Sequence, residues 1–153
     1  MDAQQQFQTQ LSTLLDKLTL LSQSQLETQL AGYKPAEVHT IQYIGQHPEA
    51  NVTQIAADLF VTRGAVSKLT RRLITRDLIT RHQKPGNQKE IYFQLTPSGQ
   101  DIYNRHEQLD NAFRKRDQPV FDQADPQQLT AVLNFLTTYN QHLDQQIQDQ
   151  NQH

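Results

Sequence analysis

NVTQIAADLFVTRGAVSKLTRRLITRDLITRHQKPGNQKEIYFQLT, residues Asn51–Thr96, decides how this chain is read. Asn51 can cap a short helix, VTQIAADLF, whose Ile55, Ala56 and Leu59 recur at helical spacing. Val61-Thr62 makes a tight link. Thr62 can then cap RGAVSKLTRRLITR, where Ala65, Val66, Leu69 and Leu73 fall on one side and Arg63, Gly64, Ser67, Lys68 and Arg71 on the other. Leu78–His82 and Glu90–Leu95 read as strands joined across the turn-rich tip Pro85-Gly86-Asn87.

A helix pair followed at once by a hairpin has the order of a winged helix-turn-helix, so double-stranded DNA is the first partner to expect. Charge agrees. Between Thr62 and Glu90 eight Lys or Arg stand against two acids, a local +6, while the whole chain is −2 and the remainder therefore −8. Phosphate responds to local potential, and an acidic remainder repels a duplex laid down wrongly. On the second helix, small residues let a backbone approach the major groove, while Ser, Arg and Lys hydrogen-bond base edges and phosphates. Arg72 and Arg76 lie to the side as phosphate clamps, and Lys84 and Lys89 flank the hairpin tip, placed for the minor groove or its phosphates. The expected DNA-contact set is Thr62, Arg63, Gly64, Ser67, Lys68, Arg71, Arg72, Arg76, Lys84 and Lys89.

Outward from this module the chain is helical. From about Gln5 to Ala31, leucines and Phe7 recur at three- and four-residue steps between Gln, Ser and Thr, which predicts a long amphipathic helix ended near Gly32. Pro35 can open a second helix with Val38, Ile41 and Ile44 inward, closed at Gly45 and His47-Pro48. After the hairpin, helices are predicted over about Ser98–Lys115 and Pro126–Ile147. The fold class is mainly α with a small two-stranded β-wing. The 153 residues suit one domain, yet 35% hydrophobic content is low for a closed globule, and both end segments carry apolar stripes without obvious cover in their own chain. A homodimer would cover them.

Absent residues exclude whole classes. With no cysteine there are no disulfides or thiolate metal sites, as fits a reducing cytoplasm. The start has Asp2 and glutamines where a secretion signal needs positive charge and an apolar core, and no run approaches membrane-spanning length. We therefore expect a cytoplasmic chain with no membrane partner. No phosphate loop, dinucleotide fingerprint or nucleophile elbow is present, so no enzyme and no cofactor are expected. His39 and the one-turn pair His106 and Asp110 have the residue types of a metal site, but histidines at such positions more often fill structural roles, and no metal ligand set is assigned.

Three segments together resemble the MarR family of transcriptional regulators: KPAEVHTIQYI (34–44), VTQIAADLFVTRGAVSKLTRRLITRDLI (52–79) and IYFQLTPSGQDIY (91–103). The resemblance spans nearly the whole chain, as a single MarR-like domain over 1–153. It implies a winged helix-turn-helix DNA-binding part over 35–97 and a helical dimerisation part from 1–34 and 98–153. It further implies a homodimeric repressor on a palindromic operator, released by a small-molecule effector in a crevice that gathers His39, Tyr43 and side chains of the first and fifth helices. The alternatives are a retained winged helix used as a protein-interaction module, or a metal- or acyl-responsive regulator. One departure concerns the wing, where Asn87-Gln88-Lys89 replaces the Asp-x-Arg of many family members. The usual support of the tip is thereby lost, and Lys89 keeps the charge without the planar fork.

Overall fold

Asp2 starts the first helix by a reciprocal cap: its carboxylate accepts from Gln5 N, and the Gln5 side chain accepts from Asp2 N. In chain order the computed structural model, which describes residues 1–152, has α1 (Ala3–Gln29), α2 (Pro35–Gln46), α3 (Val52–Asp58), α4 (Arg63–Thr75), β1 (Ile79–Lys84), β2 (Asn87–Leu95), α5 (Pro97–Asp122) and α6 (Pro126–Asn151). His153, counted in the dimerisation segment above, lies outside the described residues. The chain divides into two compact units, residues 1–110 and the remainder from 111. Among the described residues no helix is long and apolar enough to cross a membrane.

The first unit contains the winged helix. Its core is built from Val38, Ile41 and Ile44 of α2, Ile55 of α3, Val66 and Leu73 of α4, Ile79 and Phe93 of the sheet and Ile102 of α5, all fully buried or nearly so. Both caps predicted for the helix pair form: Asn51 exchanges hydrogen bonds with Gln54 at 2.9 Å, and Thr62 Oγ1 accepts from Ala65 N at 3.1 Å. The link between α3 and α4 is strained, for Phe60 takes φ +56° with no glycine to ease it. In the second unit, α6 starts at Asp125, which caps Gln127 N at 2.9 Å, and contributes no fully buried residue.

Four local readings are corrected. Gly45 does not close α2 but lies inside it, because a Cβ there would stand 2.6 Å from the Tyr103 ring; the glycine allows α5 to pass close. The hairpin is longer than predicted. Only Pro85 and Gly86 turn, with Gly86 at φ +82° as a type II turn requires, so Asn87 pairs with Lys84 instead of capping the loop. A register shift between His82 and Lys84 adjusts the strand to that turn. Finally, α5 runs past Lys115 to Asp122 with Pro119 inside its last turns, and α6 continues to Asn151. A proline so near a helix end removes one backbone bond without breaking the helix.

Candidate nucleic-acid interface

The surface formed by α4 and the wing carries a cluster of free cations. Arg63, Lys68 and Arg71 are exposed, Arg72 is half-buried, and Lys89 stands exposed on β2. Among the described residues none of these five side chains has an ion-pair or hydrogen-bond partner. Phosphate can therefore be met there without first breaking an internal pair. Arg63, Gly64 and Ser67 share one groove with Asn51, Thr53 and Lys89, which brings the start of α4 and the wing to a common opening. Ser67 and Arg71 border a second depression with Arg81, a cation outside the expected set. Arg81 is exposed although strand alternation puts it on the same side of β1 as buried Ile79, so periodicity alone would have turned it inward.

Gly64 is informative by contrast with the other glycines of the unit. A Cβ at Gly99 would stand 1.9 Å from the Leu78 carbonyl oxygen, so the fold demands glycine there. At Gly64 a Cβ would meet nothing closer than Thr62 Oγ1 at 3.9 Å. The protein does not need a bare backbone at Gly64, whereas a docked duplex would use one.

Three expected contacts are already engaged within the chain. The Thr62 hydroxyl oxygen is spent on capping α4. Arg76, read above as a phosphate clamp, turns the other way: its Nη1 donates to Glu37 Oε2 at 2.9 Å, and its guanidinium carbon lies 4.3 Å over the Tyr33 ring. A buried carboxylate attracts the nearest cation more strongly than water does, and Glu37 is 2% exposed. Lys84 donates to Glu49 and stacks over Tyr92 at 4.4 Å, and the bond to Glu49 raises its pKa above the ordinary lysine value. Sequence spacing could not reveal these partners, which lie 39 and 35 residues away.

The wing tip has its own support despite lacking the Asp-x-Arg pattern. Asn87 Oδ1 accepts from Lys89 N at 3.2 Å and Glu90 N at 3.3 Å, and Asn87 Nδ2 donates to Glu90 Oε2 at 3.3 Å. Tyr92 donates to the same Glu90 oxygen at 2.5 Å. Neutral Asn87 thus organises the backbone, which leaves Lys89 unpaired.

The expected effector crevice is divided. Leu18, Ser22, Gln23 and Leu26 of α1, with Pro35 and His39 of α2, line a depression of about 310 Å³. Tyr43 is not part of it. One turn on from His39, with the offset of about 40° that four helical residues accumulate, Tyr43 faces α3. There its hydroxyl donates to Asp58 Oδ2 at 2.5 Å and its ring stacks on His47 at 4.3 Å. Burial first, and the Asp58 hydrogen bond second, push the Tyr43 pKa up to about 12.

α5 reaches His39 through His106, whose ring meets it edge-on at 6.2 Å. Partial desolvation, then the neighbouring His106, hold the His39 pKa below its ordinary value although the residue as a whole is exposed. His106, Glu107 and Asp110 each bring a potential ligand atom within 4.8 Å of the others. His106 Nδ1 stands 3.5 Å from Asp110 Oδ2, buried and without a hydrogen bond, while Gln42 donates to Asp110 at 3.3 Å. The three residues weighed as metal ligands are thus neighbours, together with Glu107, which the one-turn spacing did not pick out.

Comparison with known proteins agrees with this architecture. The model of the MarR family matches residues 34–91. Among curated relatives, the chain is 33% identical over 99 residues to the HTH-type transcriptional regulator PchR of Bacillus subtilis (strain 168), covering 65% of this chain and 59% of PchR. It is 30% identical over 103 residues to the uncharacterized HTH-type transcriptional regulator YvnA of the same organism, covering 67% and 66%. The chain therefore spans roughly half to two thirds of the length of the curated relatives it matches. Among solved structures, Streptococcus pneumoniae FabT in complex with DNA superposes with a TM-score of 0.79 at 21% identity over 92% of this chain and 97% of that one. The Staphylococcus aureus MepR–DNA complex gives 0.69 at 21% identity, covering 90% and 97%. At those identities the superpositions establish the fold.

Proposed function

The chain belongs to the MarR family, and from that premise we propose that it is a sequence-specific DNA-binding regulator of transcription, acting as a homodimer on a palindromic operator. The observation that carries this reading is the set of five unpaired cations, Arg63, Lys68, Arg71, Arg72 and Lys89, on one face around a glycine the fold does not require. Residues 35–97 form the reading part, and 1–34 with 98–152 form the part that joins two copies. The fold neighbours FabT and MepR, both solved in complex with DNA, support a DNA-binding reading, in which α4 enters the major groove. In a dimer two such helices would occupy successive grooves about 34 Å apart. Arg63, Ser67, Lys68 and Arg71 read base edges, Arg72 and Lys89 hold phosphates, and repression follows from occupying the promoter.

An amphipathic small-molecule effector fits the depression between α1 and α2, whose wall mixes Leu18, Leu26 and Pro35 with Ser22, Gln23 and His39. The neighbour solved with salicylate and kanamycin, Staphylococcus aureus MarR, supports a ligand-responsive reading.

Selection of tight binders from a random duplex library tests the proposal with no operator chosen in advance. The expected product is an inverted repeat with half-sites about one helical turn apart. For Arg71→Ala the same selection should relax at one symmetric position and affinity should fall by about 1–3 kcal/mol. Enrichment of no motif by the wild-type chain would favour the protein-interaction alternative.

A further inference from the structure

We propose that Arg76 is a positioning residue of the recognition helix α4 and not a phosphate contact, and that with Glu37 and Tyr33 it ties the end of α4 to the start of α2 and to the segment leaving α1. The inference rests on the DNA-binding reading above and assigns work within it to residues that never touch the duplex.

Arg76 is the residue on which α4 ends, and its own N–H donates back to the Arg72 carbonyl. Its guanidinium spans two elements. Nη1 donates to Glu37 Oε2 at 2.9 Å in the first turn of α2, and the planar cation rests 4.3 Å over Tyr33, between α1 and α2. The other Glu37 oxygen accepts from Lys34 N at 3.4 Å, at the residue that precedes α2. The Glu37 side chain is 3% exposed, against 36% for Arg76. A carboxylate so buried cannot be left alone without a large desolvation penalty, so the pairing is enforced from the Glu37 side.

The consequence is geometric. Capping by Thr62 holds the first turn of α4, and Arg76 holds the last. Between these two anchors lie Arg63, Ser67, Lys68 and Arg71. Val66 and Leu73 already seat α4 on the core, and the Arg76 tie fixes the rotation of its last turn, which would otherwise be set less firmly than the capped start. Arg71 is about 7.5 Å along the axis from Arg76 and would be displaced with it. Because Tyr33 belongs to the connection between α1 and α2, a shift of that connection would reach the reading face through the same arginine.

The test compares full-length wild type with Arg76→Ala, Arg76→Lys, Glu37→Gln and Arg72→Ala on the selected duplex across a salt series. Arg72→Ala removes a phosphate contact, so it should flatten the log–log salt slope by about 0.9. Arg76→Ala should weaken operator binding roughly tenfold with the wild-type slope retained. Arg76→Lys should recover part of the loss, since it restores charge without the planar stack and fork. Glu37→Gln is the sharpest variant, and it carries the test should Arg76→Ala fail to fold. It makes the chain more positive, which by charge alone tightens DNA binding, yet the tie predicts weaker binding and faster amide hydrogen exchange over residues 73–78 of the free protein.

A slope lowered by Arg76→Ala as much as by Arg72→Ala, with Glu37→Gln binding at least as well as wild type, would overturn the positioning role. Unchanged hydrogen exchange in Glu37→Gln would overturn the tie independently of any DNA. Wild type failing on every duplex is a separate result: it would remove the DNA-binding reading, and the positioning role with it.

Discussion

The winged helix and the terminal helices are written with the same helical periodicity but meet different fates. Within the winged helix, apolar positions such as Val38, Ile41, Ile55, Val66 and Leu73 are all 1% exposed or less. In α1 and α6 no residue is fully buried, and Leu14, Leu15, Leu18, Leu21, Val132, Leu133, Leu143 and Ile147 remain between 39% and 56% exposed. Gln, Ser and Thr separate these stripes, so they are organised faces and not scattered apolar residues. The difference teaches that the apolar positions of the reading head close on one another, whereas those named in α1 and α6 stay exposed and are free for a partner surface. The proposed second copy would supply that surface and would also double a short reading head, which alone offers few base contacts.

Breaking the terminal helices should therefore have the largest effect on function and the smallest on the head. For the double variant Leu18→Asp/Leu133→Asp, sedimentation should give the single-chain mass of 17.7 kDa, and operator affinity should fall roughly a thousandfold as half of the contacts are lost. Wild type already sedimenting as a single chain would remove the contrast.

The reverse experiment damages the head. Gly99→Ala places a methyl where the Leu78 carbonyl oxygen is 1.9 Å away. Backbone must move, so urea denaturation should show a loss of about 3 kcal/mol or more. A third variant separates stability from binding inside the head. Gly64→Ala has open space and a more favourable helix residue, so stability should hold or rise by up to about 1 kcal/mol while operator binding weakens severalfold. Equal binding by Gly64→Ala would mean that DNA does not approach the helix there.

The smallest effect is one of pH. Burial and the hydrogen bond to Asp58 raise the Tyr43 pKa to about 12 from an ordinary value of 10.0. Folding then favours the protonated phenol: the contribution is complete below pH 10 and is lost as pH rises toward 12. Denaturation midpoints measured across that window should fall more steeply for wild type than for Tyr43→Phe, and parallel slopes would contradict the assignment.

Much of the head was legible because its signals are local. Asn51 and Thr62 announce their helices by side chains that bond three residues away, and the two faces of α4 follow from spacing alone. What escaped was long-range. Glu37–Arg76 and Glu49–Lys84 join residues 39 and 35 positions apart, and periodicity says which face a residue occupies without naming what it meets. Two of the ten expected DNA contacts, Arg76 and Lys84, are engaged in those pairs, and Arg81 stays exposed although alternation puts it on the side of buried Ile79. Gly45 misled for a related reason: a glycine near a helix end reads as a stop unless the Tyr103 ring packed against it is known.

The central claim is that the unpaired cations of α4 and the wing read one DNA sequence. Fluorescence-anisotropy titration with duplexes tiled from the DNA upstream of the protein's own gene, repeated across a salt series with random DNA as competitor, addresses it most directly. The account predicts tight binding to one palindromic tile that survives competitor and weakens steeply with salt, with a slope of about −0.9 for each phosphate neutralised. Weak and equal affinity for every tile, extended to a genomic library with the same outcome, would contradict it.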